Sequence, residues 1–256
     1  MLRIATWNVN SLRVRLPHVL QWLDKEQPDV LALQETKTID ENFPSEEIKN
    51  AGYEAKYAGQ KTYNGVATLS KTGISESITG LPGLDDSQKR ILCNTINNVT
   101  VLNIYVPNGS EVGSEKYRYK LDWLKHLHTF VESLLKKNKN IIVLGDFNIA
   151  PEDRDVHDPI EWEGKVLVSQ PERDNFNHLI DLGLVDSFRL FDQEDDSFSW
   201  WDYRAASFRR NRGLRIDHIL ASQALADKCG KCYIDKTPRK LDRPSDHTPV
   251  IAEFDI

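Results

Sequence analysis

Apolar residues along this chain fall in short dense runs separated by turn signals. Leu2–Trp7, Val30–Leu33, Val66–Ser70, Ile91–Ile96, Val99–Val106, Ile141–Leu144, Leu214–Ala221 and Val250–Phe254 are strand-sized. Their near-continuous apolar character, with little alternation, predicts strands, several of them covered on both faces. Between them the pattern changes to a helical period. Ser114–Lys137 is the clearest helix, with Tyr117, Leu121, Leu124, Leu127 or His128, Val131, Leu134 and Leu135 on one stripe and Ser114 as N-cap. Leu16–Lys25 is a second, and Asn175–Leu182, closed by Gly183, a third. Strands interleaved with helices predict an α/β fold with at least one helix-covered sheet.

The runs end on polar residues. Asn8 closes the first, Glu35 the second, and Tyr105 with Asn108 the strand in "LNIYVPNG". Asp217 and His218 interrupt "LRIDHIL", and Asp246–His247 precede the last strand in "PSDHTPV". In "VLGDFNIAP" a buried strand gives way to Gly145, Asp146, Phe147 and Asn148, with Pro151 as a stop. Residues i and i+2 of an extended chain share a face, so Asp146 and Asn148 could aim at one point. An ordinary turn accounts for the segment equally well, because Asp and Asn are common turn residues. Each strand end has a similarly plain explanation as a cap, a surface histidine or a core tyrosine. Together they are harder to dismiss, since ligands of α/β folds bind outside strand ends. Because the candidates run from position 8 to position 247, convergence requires one domain over residues 1–256.

Composition narrows the class. With 256 residues, 39% hydrophobic and 28% charged, the chain can bury a sizeable core. No signal-like N-terminus and no membrane-length apolar run are present, which predicts a cytoplasmic protein with no membrane association. The net charge of −6 argues against indiscriminate coating of nucleic acid, although a local basic face remains compatible with it. Of the three cysteines, Cys229 and Cys232 form C-G-K-C, but no second pair completes a zinc site, so reduced thiols are expected.

GxGxxG, Walker A and GxSxG are all absent, which removes support for dinucleotide, P-loop and serine-hydrolase readings. What remains is oxygen-rich: Glu35, Asp146, Asp217, Asp246, Asn8 and Asn148. Hard oxygen donors suit Mg²⁺ or Mn²⁺, and Mg²⁺ is typically held by one or two carboxylates plus substrate phosphate. That points to phosphate-ester chemistry, with "IDHI" and "SDHT" supplying Asp–His pairing.

"TWNVNSLR", "LQETK", "YVPNG", "LGDFNIAP", "LRIDHIL" and "SDHTPV" occur in the order and at about the spacing of the exonuclease III family of DNA repair enzymes. The chain resembles that family, part of the endonuclease/exonuclease/phosphatase superfamily, over essentially its whole length. The resemblance implies a four-layer α/β sandwich of two packed mixed β-sheets flanked by helices. It implies Mg²⁺ (with Mn²⁺ as substitute) at Glu35, with Asn8 and Asp246 near the metal. Asp146 is implied to orient or deprotonate the attacking water, with Asn148 supporting water and phosphate. His247, paired with Asp217, is implied to contact the phosphate oxygen, and Tyr105 and Asn108 match further active-site positions. Asp146, Asn148 and His247 are also candidates for a second metal position. Many relatives carry Asp or Asn after "WNV"; here it is Asn10, which is left outside the ligand set.

The implied substrate is double-stranded DNA with abasic sites or blocked 3′ ends, handled by a monomer. Arg204, Arg209, Arg210, Arg212 and Arg215 lie close together with no acid among them. Alone such a run is a solvated face; beside a phosphodiesterase site it becomes the candidate backbone-binding surface, with Arg212 and Arg215 foremost. Arg13, Lys61 and Arg90 are further candidates from other loops. The resemblance places Trp200 and Leu214 on the walls of a pocket for a base-less sugar, and Leu167 is a candidate to narrow it. Two other functions stay open: a phosphatase of the same superfamily acting on lipid or inositol phosphates, and a non-catalytic DNA-binding module.

Overall fold

The computed structural model describes residues 1–256. Twelve strands form two six-stranded sheets. In chain order they are β1 (Leu2–Asn8), β2 (Val30–Gln34), β3 (Glu54–Ala58), β4 (Val66–Ser70), β5 (Ser75–Thr79), β6 (Ile91–Ile96), β7 (Val99–Tyr105), β8 (Ile141–Asp146), β9 (Leu184–Asp186), β10 (Asp217–Ser222), β11 (Cys229–Ile234) and β12 (Val250–Phe254). One sheet has the order β11-β12-β1-β2-β4-β3 and the other β5-β6-β7-β8-β10-β9. Only β1–β2 and β7–β8 pair in parallel; the remaining neighbours are antiparallel, so both sheets are mixed. The helices are α1 (Leu12–Glu26), α2 (Ser45–Asn50), α3 (Glu115–Leu135), α4 (Pro159–Trp162), α5 (Gln170–Asp181) and α6 (Gln223–Ala226).

The continuous apolar runs follow from burial on two sides. Leu2, Ile4, Val30 and Ala32 of one sheet pack between the sheets against Val101, Ile142, Leu144 and Ile219 of the other. The alternate residues face outward under helices. Ala5, Trp7, Leu31 and Leu33 meet Val19, Trp22 and Leu23 of α1. Leu102, Ile104 and Val143 meet Leu124, Leu127 and Val131 of α3 and Phe176 and Leu179 of α5. Each Val, Leu, Ile or Phe among them contributes roughly 1.5–3 kcal/mol on burial. The result is helix, sheet, sheet, helix: the four-layer sandwich.

Four strands were not foreshadowed by the apolar pattern: β3, β5, β9 and β11. All four are sheet edges. Edge strands keep one side in solvent and carry polar residues, most plainly Ser75–Thr79, which is exposed throughout. The apolar run Leu214–Ala221 predicts one strand, but pairing begins only at Asp217; Leu214 instead forms isolated bridges with Val156 and Trp200. The third helix starts earlier than its apolar stripe suggests. Its polar first turn is a capping box, in which Ser169 and Glu172 satisfy each other's backbone N–H groups. For α3 the prediction holds: the Ser114 hydroxyl accepts the Tyr117 N–H at 3.1 Å.

The apolar run ends before Gly145, yet the strand continues: Gly145 lies inside β8, paired with Ile104 and His218. Its φ is +147°, and a Cβ there would sit 1.9 Å from the Ile104 carbonyl oxygen. Gly145 therefore permits the close approach of β7 and β8 that sets the level of Asp146. Gly145→Ala should lower stability by about 3 kcal/mol or more, because the clash is with backbone that cannot rotate away. A urea titration reporting an unchanged midpoint would contradict this.

Candidate active site

Along the inner face of each central strand, polarity rises toward one end. β1 reads Leu2, Ile4, Thr6, Asn8; β2 reads Val30, Ala32, Gln34; β8 reads Ile142, Leu144, Asp146; β10, running the other way, begins at Asp217. Halfway along, Gln34 Nε2 donates to Thr6 Oγ1 at 2.9 Å and to Asn103 Oδ1 at 2.8 Å, and Asn103 Nδ2 donates to the Ala67 carbonyl at 2.9 Å. This buried amide layer separates the apolar interior from the ionisable groups beyond it, and its members satisfy one another.

Register brings those groups level. Asp146 is the direct partner of Tyr105 on β7 and of Asp217 on β10. From the facing sheet, Asn8 Nδ2 donates to Asp146 Oδ2 and to Glu35 Oε1, both at 2.9 Å. His247 Nδ1 lies 2.8 Å from Asp217 Oδ2, and its Nε2 lies 3.7 Å from Asp146 Oδ2. Ligand atoms of Glu35, Asp146 and His247 all fall within 4.8 Å of one another.

The "GDFN" geometry differs from the extended-chain expectation. The strand stops at Asp146, and the Asn148 N–H donates back to Asp146 Oδ1 at 2.9 Å, with Asn148 at φ +50°. The segment is a turn, and the turn is what brings Asn148 beside Asp146. The same device recurs at two other strand ends. The Asn10 N–H donates to Asn8 Oδ1 at 3.0 Å, and the Ser110 N–H to Asn108 Oδ1 at 3.1 Å. Asn108 Nδ2 then donates to Asn148 Oδ1 at 3.2 Å, joining the two turns. Asn10, Glu35, Lys37 and Asn148 all have positive φ, a concentration of backbone cost that suits a site held by its surroundings.

The electrostatics follow from crowding. Burial pushes the Asp146 carboxyl well above the usual carboxylate range; nearby His247 pulls it back and Asp217 pushes it further up. Burial alone would discharge His247, but Asp217 and Asp146 overcome it and hold the imidazole protonated to well above its ordinary range. Burial, reinforced by Glu35, raises the Tyr105 hydroxyl well above 10, so it stays a donor. Asp246 is held low: burial would raise it, but His247, Asn10 and Trp200 outweigh that.

Several expected placements need correction. Asp246 was expected beside the metal with Asn8 and Glu35, but its two oxygens accept from Asn10 Nδ2 at 2.9 Å and Trp200 Nε1 at 3.0 Å, outside the cluster of converging ligand atoms. Asn8 presents its NH₂ to both carboxylates, so it enters as a bridging donor; an oxygen ligand would need the opposite face of the amide. Arg215 cannot bind a DNA backbone. It is 1% exposed and ion-paired with Asp155 at 2.6 Å and Asp186 at 2.8 Å. Leu214 is 0% exposed and lies under Trp200, so it backs a pocket wall without forming its surface. Leu167 is buried in that same cluster. His218 points away from Asp217, as adjacent strand residues must, and is buried between Arg215 and the Ile149 carbonyl. Arg90 stacks on the Tyr105 ring at 4.6 Å, bracing the tyrosine.

The remaining candidates lie at or near the surface. Trp200 is half-buried beside Asp246, with its ring edge-on to Trp162 at 6.5 Å. Arg209 and Arg210 are exposed, and Arg212 is half-buried and paired with Glu161. Arg13, Lys37 and Lys61 line one groove adjoining Glu35.

Three contributors were missed in the sequence. Lys37 Nζ lies 2.7 Å from Glu35 Oε2 and also donates to Asn10. The Ser199 hydroxyl donates to Asp217 Oδ2 at 2.7 Å while accepting the Ile216 and Asp217 N–H groups at 3.1 Å. Lys120 approaches from behind. "QETK" carried Lys37 in plain view; Ser199 and Lys120 sit in a loop and a helix with no local signature.

Residues 5–247 match the endonuclease/exonuclease/phosphatase family. The chain is 40% identical to exodeoxyribonuclease III of Haemophilus influenzae, across 99% of this chain and 100% of that protein. Among solved structures, a 3′ phosphatase from Neisseria bound to a product DNA hairpin superposes with a TM-score of 0.98 at 45% identity. An AP endonuclease from Archaeoglobus fulgidus superposes with a TM-score of 0.96 at 37% identity. Each covers 100% of both chains.

Proposed function

Because the chain belongs to the endonuclease/exonuclease/phosphatase family and is a metal-dependent nuclease, a phosphodiester hydrolase acting on DNA, we propose that it is a Mg²⁺-dependent repair enzyme of duplex DNA. In this reading it cleaves 5′ to abasic sites, clears blocking groups from 3′ ends and trims 3′ nucleotides. The observation that carries the assignment is the convergence of Glu35, Asp146 and His247, with the Asn108–Asn148 amides alongside.

The donor set fits a hard divalent cation. Glu35 and Asp146 supply carboxylate oxygens that converge within 4.8 Å, and Lys37 holds the second Glu35 oxygen and so orients that carboxylate. Glu35 is the principal ligand in this reading, and a bound Mg²⁺ would polarise a phosphate oxygen there as a Lewis acid.

The residues divide the remaining work. The attacking water gives its proton to Asp146, a carboxyl lifted toward neutrality by burial and therefore a better proton acceptor than an ordinary aspartate. Asn108 holds a non-bridging oxygen of the phosphate with its second amide N–H, and Asn148, which accepts from Asn108 and donates to the Val106 carbonyl at 3.0 Å and to Asp146 Oδ2 at 3.3 Å, fixes both Asn108 and the proton acceptor. The His247 imidazolium, fixed by Asp217 and Ser199, meets the charge that builds on the phosphoryl oxygens. As the water oxygen bonds to phosphorus, the P–O bond to the leaving sugar oxygen breaks; the Tyr105 hydroxyl, kept protonated by burial, hydrogen-bonds in the same site, and the leaving oxygen takes up the proton that the water gave to Asp146. Arg209, Arg210 and the groove of Arg13, Lys37 and Lys61 hold the DNA backbone, and Trp200 walls the sugar pocket.

The test compares initial rates on an internal abasic duplex, a 3′-phosphate nick, an intact recessed 3′ end and an inositol phosphate, each with Mg²⁺ and with chelator. Cleavage of the DNA substrates only, abolished by chelator, is the expected result; turnover of the inositol phosphate alone would favour the lipid-type phosphatase. Glu35→Gln should shift the Mg²⁺ titration to at least about tenfold higher concentration, as loss of a charged ligand requires. An unchanged titration would remove Glu35 from the ligand set.

A further inference from the structure

Lys120 lies in the second turn of α3 and is 0% exposed, an expensive place for a charge. Its ammonium has three donors and uses all of them. Nζ donates to the Asn148 carbonyl at 2.7 Å, to the Asn108 carbonyl at 3.1 Å, and to Glu172. Glu172 is itself 0% exposed and caps the loop before α5, accepting the Leu167 N–H at 3.0 Å and the Ser169 N–H at 3.2 Å. The aliphatic stem of Lys120 runs past Gly109, where a Cβ would stand 3.1 Å from its Cδ.

Two of the three acceptors are thus the backbones of the two asparagines whose side chains meet at the site. Asn148 has φ +50° and Asn108 sits in a turn, so neither amide direction is set by regular secondary structure. Helix α3 packs on the far side of the sheet from the other active-site groups. A hydrophobic residue would fill this interior position without a desolvation penalty. The ammonium instead anchors two turns to one point.

We propose that Lys120 and Glu172 are positioning residues for the reaction: the buried pair locks the carbonyls of Asn108 and Asn148 and so aims the Asn148 amide at Asp146, 3.3 Å away, and the Asn108 amide at the scissile phosphate. This rests on the reading of Asn108 as the phosphate contact and of Asn148 as its support beside Asp146. Lys120 touches no substrate, so its effect belongs in turnover and little of it in binding.

The experiment measures kcat and KM on abasic duplex for Lys120→Met/Glu172→Gln, which removes both charges and leaves neither unpaired, and for Asn148→Ala, alone and combined. The double charge variant should lose on the order of 10²-fold in kcat with KM within about threefold, since small misplacements of positioning groups cost that much. Combined with Asn148→Ala, most of that loss should disappear, because both changes disable the same contact. Wild-type kcat in the charge variant overturns the proposal, as does full additivity with Asn148→Ala, which would place the effect elsewhere. If Asn148→Ala by itself leaves kcat unchanged, the reading of the site fails first and takes the proposal with it. Lys120→Arg guards against misfolding of the charge variant. It keeps the ion pair, but a planar guanidinium cannot fan its donors as a tetrahedral ammonium does, so kcat should fall about tenfold at constant KM. Wild-type kcat in that variant also overturns the proposal.

Discussion

Asp146→Asn should reduce single-turnover cleavage of abasic duplex by about 10³-fold or more while duplex affinity is retained, since proton transfer by a positioned base contributes 10²–10⁴-fold. The substitution preserves shape. An asparagine oxygen can still accept the Asn148 N–H that forms the turn, so the loop keeps its course. What is lost is basicity and one of the converging carboxylates. Binding should persist or tighten, because a negative charge facing the phosphate has been removed. Rates come from quenched cleavage and affinity from fluorescence anisotropy in chelator. A wild-type rate would refute the role of Asp146 as proton acceptor; a parallel collapse of binding would indicate that the aspartate serves the architecture instead.

His247→Gln should cost 10²–10³-fold in kcat, the usual loss when a donor to developing charge is removed. Glutamine can still reach toward Asp217 but brings no positive charge. The protein should also become less stable, because Asp217 is 0% exposed and loses its charged partner, with a cost of about 3–5 kcal/mol for a broken buried pair. Assays therefore need a parallel urea titration to confirm that the variant is folded. Asp217→Asn offers a second view of the same pair. Asp217 is the first of the anions that overcome burial and hold the imidazole charged, so removing it lowers the His247 pKa. The alkaline fall of kcat should then begin at lower pH than in wild type. An alkaline limb that stays in place would show that some other group governs it.

Much of the site was legible as a set of strand ends, and its errors are instructive. Asp146, Asn148, Glu35, Asp217 and His247 interrupt or terminate apolar runs, and a polar group at the mouth of a buried strand is visible in one dimension. The arginines were less readable. Arg215 belongs to the same basic run as Arg209 and Arg210, yet it is buried between Asp155 and Asp186, residues distant in sequence that no local pattern connects to it. His218 adjoins Asp217, but a strand sends neighbours to opposite faces, so only one of them can enter the site. Asp246 was legible as a site carboxylate, but which groups surround it was not; Asn10 and Trp200 occupy both its oxygens. Lys120 lies outside the apolar stripe of its helix, and nothing nearby in sequence announces that its ammonium reaches two turns.

By itself the apolar pattern determined an α/β chain with at least one helix-covered sheet, because a strand covered on both faces must be apolar at successive positions and a covering helix must carry a stripe at its own period; the four-layer arrangement came only with the family resemblance. It also determined the chemistry available, since carboxylates, amides and imidazoles at strand ends are fixed by residue identity. Edge strands escaped because half of each is solvated and needs no such pattern. Only the tertiary structure decided which of these groups meet. The register that sets Tyr105, Asp146 and Asp217 level depends on a glycine at 145 that lets two backbones close. The reach of Asn8 from one sheet to Asp146 in the other depends on how the sheets stack. The charge states of Asp146 and His247 depend on burial and on neighbours brought from three separate segments. Proximity, dielectric and orientation are properties of the assembled molecule, and they turn a list of polar strand ends into a site.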